Sequence, residues 1–346
     1  MIASIGIGGA EKHVLDLCLQ QRSLGVDVKV ALPGEGELSQ ALLAHNIDYQ
    51  LIRAGGRWHP LSLWSLHRLI RNVRPDLIHA HMLKSAAMVG YANRRIPYIV
   101  TAHNIVKHLG PFRNCHHVIC VSKMVQDSML QLGYPISKTT VVHNAVQTQM
   151  FSTLQREEIR RTHGWHNQLI ILCVARLVAA KGQVYAIEAL AKLIKPLPNI
   201  KLVLVGEGPD RDQLIQYAQK TGVSAYLSLL GARNDVAALL AATDIYLQPS
   251  LKEGFCIAFL EAMATGSCCI GTQTGAIPNM VKSGVNGLLV APGNSDGIAN
   301  AILSMAKDNE TRNRYARAAK ITAQTQFSLE KQASDTIAVY QQILMQ

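Results

Sequence analysis

The sequence predicts an α/β protein made of two doubly wound domains, each a parallel sheet with helices on both faces. Three observations predict it. Short apolar, β-branched segments alternate with helix-period segments along the chain, the pattern of strand–helix–strand crossovers. The alternation stops once, across the polar stretch 145–168, and then restarts. The length of 346 residues favours two domains over one, at roughly 100–200 residues per domain. The expected domains are 1–150 and 151–330, with a closing helix, 331–346, that crosses back to the first.

The elements follow in order. In the first domain the strands are 26–32, 47–52, 76–81, 98–103, 117–122 and 139–144, with helices such as 11–24, 61–72 and 123–132 between them. The stretch 145–168, with a charged helix over 155–162, reads as the linker. The second domain runs strand 169–175, helix 184–195, strand 201–206, helix 210–220, strand 226–231, helix 235–242, strand 244–248 and helix 256–265. Strands 268–272 and 287–291 follow, then three helices. Ligands of such folds bind at the carboxyl ends of strands, here in the cleft expected between the two domains.

Composition excludes several classes. An apolar fraction of 49% with 16% charged residues suits a buried core and rules out a disordered chain. The longest apolar run is seven residues, 169–175, whereas a membrane-spanning helix needs about 20. The first residues lack the charged start and apolar stretch of a secretory signal. Seven cysteines, an odd number without a C-x-x-C pair, read as reduced thiols. The expected location is the cytoplasm. Residues 1–150 carry 15 Lys/Arg against 8 Asp/Glu, the remainder 19 against 15. The basic first domain suggests attraction to phosphates of nucleic acid, anionic lipid or nucleotide, and charge alone does not choose among them.

Several motifs carry chemistry. Gly6-Ile7-Gly8-Gly9-Ala10-Glu11 joins a strand stub to a helix and reads equally as a tight turn or a phosphate loop. Only five residues precede Gly6, so the first strand is short or begins upstream. Arg176 and Lys181 follow the buried strand 169–175, where a phosphate would sit. Gly206 ends strand 201–206 in Val205-Gly206-Glu207-Gly208-Pro209, with Asp210 as the expected N-cap of the next helix. Asp210-Arg211-Asp212 resembles a metal-binding D-x-D, but both carboxylates fall in a helix's first turn, which favours them without a metal. Cys115-His116-His117-x-x-Cys120 enters a strand whose side chains alternate between faces, a poor metal site. The strongest signal is 249–266. There Glu253 stands in a loop, and the first N–H groups of a helix near Cys256, Ile257 and Ala258 can hold a diphosphate or sugar hydroxyls. Glu261, on an otherwise apolar helix, needs a partner such as vicinal ribose hydroxyls.

These residues together resemble a retaining glycosyltransferase of family 4 with the GT-B fold, two Rossmann-like domains facing across a cleft. The likeness runs through Gly8-Gly9-Ala10-Glu11, Pro75-Asp76-Leu77-Ile78-His79-Ala80-His81, Thr101-Ala102-His103, Val121-Ser122, Val142-His143-Asn144, Arg176…Lys181-Gly182, Val205-Gly206-x-Gly208-Pro209, Glu253-x7-Glu261 and Gly284-x-x-Gly287-x-Leu289-Val290. It implies that Gly8 and Gly9 border the donor diphosphate and that His103 lies beside the transferred sugar. Arg176 and Lys181 would bind the diphosphate, with Gly206 in the neighbouring donor-site loop. Glu253 would face the sugar hydroxyls, Glu261 the ribose, and Cys256, Ile257 and Ala258 the donor. Three departures stand out: Cys256 replaces a glycine, Asn144-Ala145 replaces Asn-Gly, and Gly275-Ala276-Ile277-Pro278-Asn279 replaces Gly-Gly-x-x-Glu.

The expected reaction moves a hexose or N-acetylhexosamine from a nucleotide-diphosphate sugar, UDP before GDP, with retained configuration. Two cations and a helix N-terminus can receive the leaving charge, so metal-independent chemistry without a cofactor is expected. The acceptor would be a glycan or a lipid-linked sugar in lipopolysaccharide, capsule or related surface-glycan synthesis. The basic stretch 57–71, with Trp58 and Trp64, reads as a sheet-packing helix or as a peripheral contact with the anionic inner face of the cytoplasmic membrane. No nucleic-acid partner is expected. The competing readings are a GT-B sugar phosphorylase, a nucleotide-sugar epimerase, a non-catalytic basic nucleotide- or nucleic-acid-binding protein, and a transferase that binds nucleotide without turnover.

Overall fold

The computed structural model describes residues 1–6, 8–52, 59–93, 95–147 and 153–345. They divide into two compact units, Met1–Ala145 with Leu329–Gln346, and Val146–Ser328.

The first unit runs α1 (Gly9–Ser23), β1 (Lys29–Leu32), α2 (Glu37–Ala44), β2 (Asp48–Leu51), α3 (Pro60–Val73), β3 (Ile78–His81), α4 (Met82–Ala92), β4 (Tyr98–Ala102), β5 (His117–Cys120), α5 (Lys123–Gln131) and β6 (Thr139–Val141). Strands β1 and β2 pair in parallel, and β3, β4, β5 and β6 form a second parallel sheet in that order. The strand stub ahead of Gly6 amounts to one residue: Ile2 bridges to His81 in parallel while its N–H donates to Ala31 O at 3.3 Å. Strands β4 and β5 are buried at every position, as a parallel sheet covered on both faces requires. The C-terminal helix Leu329–Leu344 packs Val339 and Ile343 against Ile99, Ile119 and Val142. Helix α4 escaped the sequence pattern because its apolar residues surround the axis, and it follows β3 with no loop, Met82 taking φ 71° to make the turn.

The second unit runs α6 (Thr153–Thr162), β7 (Leu169–Val174), α7 (Gln183–Leu193), β8 (Ile200–Val205), α8 (Arg211–Lys220), β9 (Leu227–Leu229), α9 (Val236–Ala241), β10 (Ile245–Gln248), α10 (Ile257–Thr265), β11 (Cys268–Thr272), α11 (Ile277–Met280), β12 (Leu288–Val290), α12 (Ser295–Lys307) and α13 (Asn309–Gln326). Its six strands are all parallel, in the order β12-β11-β10-β7-β8-β9. The winding reverses between β7 and β10, and that switch point is where the loops leave a crevice.

The stretch 145–168, read from the sequence as the linker with a charged helix, does contain that helix, over Thr153–Thr162. Helix α6 is pinned to the second unit by its arginines. Arg156 meets Asp244 Oδ1 at 2.7 Å and Thr243 O at 2.9 Å, and Arg160 meets Asp244 Oδ2 at 3.1 Å, Ala242 O at 2.7 Å and Trp165 O at 3.1 Å. Carbonyls around the C-terminal end of α9 lack helical partners, and two guanidinium groups supply them. Arg156 and Arg160 are structural rather than solvating. Replacing Arg160 with Ala strands these carbonyls and half of Asp244, and should cost about 3 kcal/mol in urea unfolding of the second unit. The exposed Arg161, replaced in the same way, should change it by no more than about 0.5 kcal/mol.

Candidate functional site

In the second unit the segments that follow β7, β8, β10 and β11 interlock at the carboxyl edge of the sheet. Leu251 and Lys252 donate their N–H groups to Ala180 O, Ala276 N–H donates to Gly254 O, and Thr272 Oγ1 donates to Ser250 O at 2.6 Å. Two glycines permit this approach. A Cβ at Gly206, φ 131°, would stand 2.1 Å from Ala175 O, and one at Gly182, φ 66°, 2.2 Å from Pro249 O. Gly206 thus has a packing duty, whatever else it does.

Glu253 lies at the centre, 6% exposed. Its Oε1 accepts from Lys181 Nζ at 2.6 Å, Ser250 Oγ at 2.8 Å and Gln248 Nε2 at 3.1 Å. Tyr246 OH in turn donates to Gln248 Oε1 at 2.7 Å. Lys181 and Glu253 were read separately from the sequence, as a diphosphate cation and a sugar contact, and the structure joins them as an ion pair. Tyr246, Gln248 and Ser250 were missed. The signal was there, since Gln248 is a polar residue closing a strand that is buried throughout. Arg176 is exposed at the end of β7.

Helix α10 opens on the other side of Glu253. Ile257 and Ala258 are its first two residues, whose N–H groups have no acceptor within the helix by position. Glu261 follows one turn later and is half-buried. Cys256, the N-cap, sits at φ 64° in the left-handed region where a side chain strains the backbone. Burial pushes its thiol well up, and Glu253 adds to the rise, so the sulfur stays protonated at neutral pH and is no nucleophile. Asp210 stands at the N-cap of α8 as expected, without a side-chain cap hydrogen bond. Asn144 and Ala145, in place of Asn-Gly, avoid positive φ. The exposed Asn279 lies on α11.

In the first unit Gly8 caps α1 and its N–H is taken by Glu11 Oε2 at 3.0 Å, with Gly9 the first helical residue; Ile7 lies outside the described residues. His103, singled out by sequence, stands in a group of imidazoles. His81 Nδ1 is 3.3 Å from His103 Nε2, and the His13 ring meets that of His103 edge-on at 4.9 Å between centroids. His13 Nδ1 contacts Asn144 Oδ1 at 2.9 Å. His79 lies against His81 and reaches Tyr340 OH at 2.6 Å and Thr101 Oγ1 at 2.7 Å. Burial pushes His13 down to about 4 and holds His79, His81 and His103 well below the ordinary histidine range, so all four are neutral at pH 7. Cys115, His116, His117 and Cys120 turn to separate partners, namely Tyr134, the Tyr98 N–H, Thr140 and Met129. On α3, Trp64 is exposed with the Arg68 guanidinium 5.6 Å from its ring centre, while Arg57 and Trp58 lie outside the described residues. No helix among the described residues is long and apolar enough to cross a membrane.

Two outcomes follow. Cys256→Gly removes the strained Cβ and should stabilise the second unit by about 1 kcal/mol in thermal unfolding. The first unit should lose stability as pH falls from about 6.5 to about 4. The unfolded chain binds protons across that window and buried His13 does not, a loss of about 3 kcal/mol for this residue, to be followed by urea midpoints against pH.

Residues 7–150 match the family model described as Glycosyltransferase Family 4, and residues 155–322 the model described as Glycosyl transferases group 1. The chain is 31% identical over 293 residues to an uncharacterized glycosyltransferase of Methanocaldococcus jannaschii, covering 77% of this chain and 75% of that one. It is 25% identical over 328 residues to the lipopolysaccharide core biosynthesis glycosyltransferase LpsE of Rhizobium meliloti, covering 93% of each. Among solved structures, Anabaena HepE in complex with UDP-glucose superposes with a TM-score of 0.84 at 25% identity, over 98% of each chain.

Proposed function

From the premise that the chain belongs to glycosyltransferase family 4, we propose that it moves a hexose or N-acetylhexosamine from a UDP-sugar to a glycan or lipid-linked acceptor in surface-glycan synthesis. The family is one of retaining enzymes with the GT-B fold, and a nucleotide sugar is its donor. One observation carries the site assignment: the loops after β7 and β10 bring Lys181, Glu253 and the start of α10 together at the switch point of the second sheet.

The chemistry follows from charge. Breaking the bond between sugar and diphosphate leaves negative charge on the departing nucleotide. In this reading Glu253 holds the Lys181 ammonium in place, and the two N–H donors of Lys181 that Glu253 does not use face the diphosphate with Arg176 and the N–H groups of Ile257 and Ala258. Preorganised donors of this kind contribute about 3–4 kcal/mol each to the rate. Glu261 takes the ribose hydroxyls, and Gly206 and Cys256 shape the loops beside the donor. The family resemblance gives Gly8 and Gly9 a role at the diphosphate and His103 a role at the transferred sugar. The second unit is thus the donor domain and the first the acceptor domain.

Two features support a UDP-sugar and a surface-glycan acceptor. The HepE structure holds UDP-glucose, and LpsE serves lipopolysaccharide core synthesis. The first domain is also basic, and α3 presents Leu61, Trp64, Arg68 and Arg71 to solvent, a mixture suited to an anionic membrane surface that carries a lipid-linked acceptor.

UDP at 100 times its dissociation constant should stabilise the chain by about 2.7 kcal/mol in thermal-shift assays. Glu261→Ala should remove that shift, and a shift that survives unchanged sinks the ribose assignment. Lys181→Ala, which also removes the cationic partner of Glu253, should lower kcat about 100-fold or more in sugar transfer, measured per folded chain as counted by circular dichroism.

A further inference from the structure

We propose that His13, His81 and His103 form a binding site for a divalent transition-metal ion, with zinc the best match. One nitrogen from each ring lies within 4.8 Å of the other two. His81 Nδ1 and His103 Nε2 are 3.3 Å apart, and two nitrogens bound at about 2.0–2.1 Å in a tetrahedral zinc shell stand about 3.3–3.4 Å from each other. The three rings come from α1, the end of β3 and the residue after β4, so separate backbone elements aim them at one point.

The surroundings suit ligation. His13 Nδ1 meets Asn144 Oδ1 at 2.9 Å and Gln332 Nε2 at 3.3 Å; the shorter contact is to an acceptor, which places the proton on Nδ1 and leaves the Nε2 lone pair free to ligate, an outer acceptor fixing the tautomer as at many histidine-ligated metals. One proton lies between His81 and His103. Moving it to the far nitrogen of its own ring gives two inward lone pairs with no net proton release. His79 is no ligand, since both its nitrogens are engaged by Tyr340 and Thr101. An all-imidazole set favours zinc, copper or nickel over magnesium or calcium, which select oxygen ligands. His103, the least buried of the three, also lines a cavity of about 270 Å³ with Lys84 and Asn104, so one ligand of the set borders open space.

A metal held on His103 withdraws its ring from the sugar. Zinc should therefore inhibit transfer while UDP binding persists, a consequence that rests on the role proposed for His103 above. The site itself does not, so it is tested without donor or acceptor. Untagged, chelator-treated full chain is titrated with Zn²⁺ by calorimetry and with Co²⁺ by visible absorption. The expected result is one equivalent bound, with the intense spectrum of four-coordinate cobalt. His13→Gln and His103→Gln should each weaken binding at least 100-fold, and Asn144→Ala about 10–100-fold, with circular dichroism confirming the fold. The exposed His108→Gln should bind as the native chain does. A folded chain that takes up no stoichiometric metal, or a His103→Gln variant that binds as tightly as the native chain, overturns the proposal. Failure of the transferase reading would leave these titrations unchanged.

Discussion

A carboxylate withdrawn from water governs the architecture of the second unit. Unpaired, Glu253 would cost several kcal/mol, and three donors meet it on a single oxygen. Those donors are spread in sequence, Lys181 on the loop after β7, Gln248 at the end of β10 and Ser250 just beyond. Satisfying one charge therefore fixes how two loops lie against each other, and with them the direction in which α10 starts. The left-handed Cys256 is a local cost of that start.

The first unit solves the burial of titratable groups in the opposite way. Its four clustered histidines lose their charge instead of gaining an ion pair. Neutral imidazole both donates and accepts, so the rings are satisfied by Asn144, Tyr340, Thr101 and one another. The C-terminal helix contributes directly: Tyr340 bonds both His79 and Gln21, and Gln332 donates to His143 O. Ile2 plays a similar connecting part in the backbone, carrying hydrogen bonding from β1 to β3 through a single residue.

Much of the candidate site in the second unit was legible in the sequence. Lys181, Glu253, Ile257 and Ala258 sit at junctions of strand, loop and helix, and such junctions are visible in apolar periodicity. What escaped was pairing. Asn144 was noticed as the residue before an unusual alanine, but its partner His13 lies 131 positions away. Helix α6 reads from the sequence only as a charged helix in the linker, because nothing local to Arg156 and Arg160 announces Asp244 and the end of α9.

By itself, the sequence determined the α/β class, the two-fold alternation of strands and helices, and which residues end up at strand ends and helix starts. These depend on contacts within a few residues, where period and turn chemistry act. Only the tertiary structure decided that Glu253 is buried while Glu261 is half-exposed, that Lys181 is already paired, and that three histidines from separate elements converge. Solvent exclusion and hydrogen-bond partnership arise from segments brought together across the chain, and their energies do not exist until those segments meet.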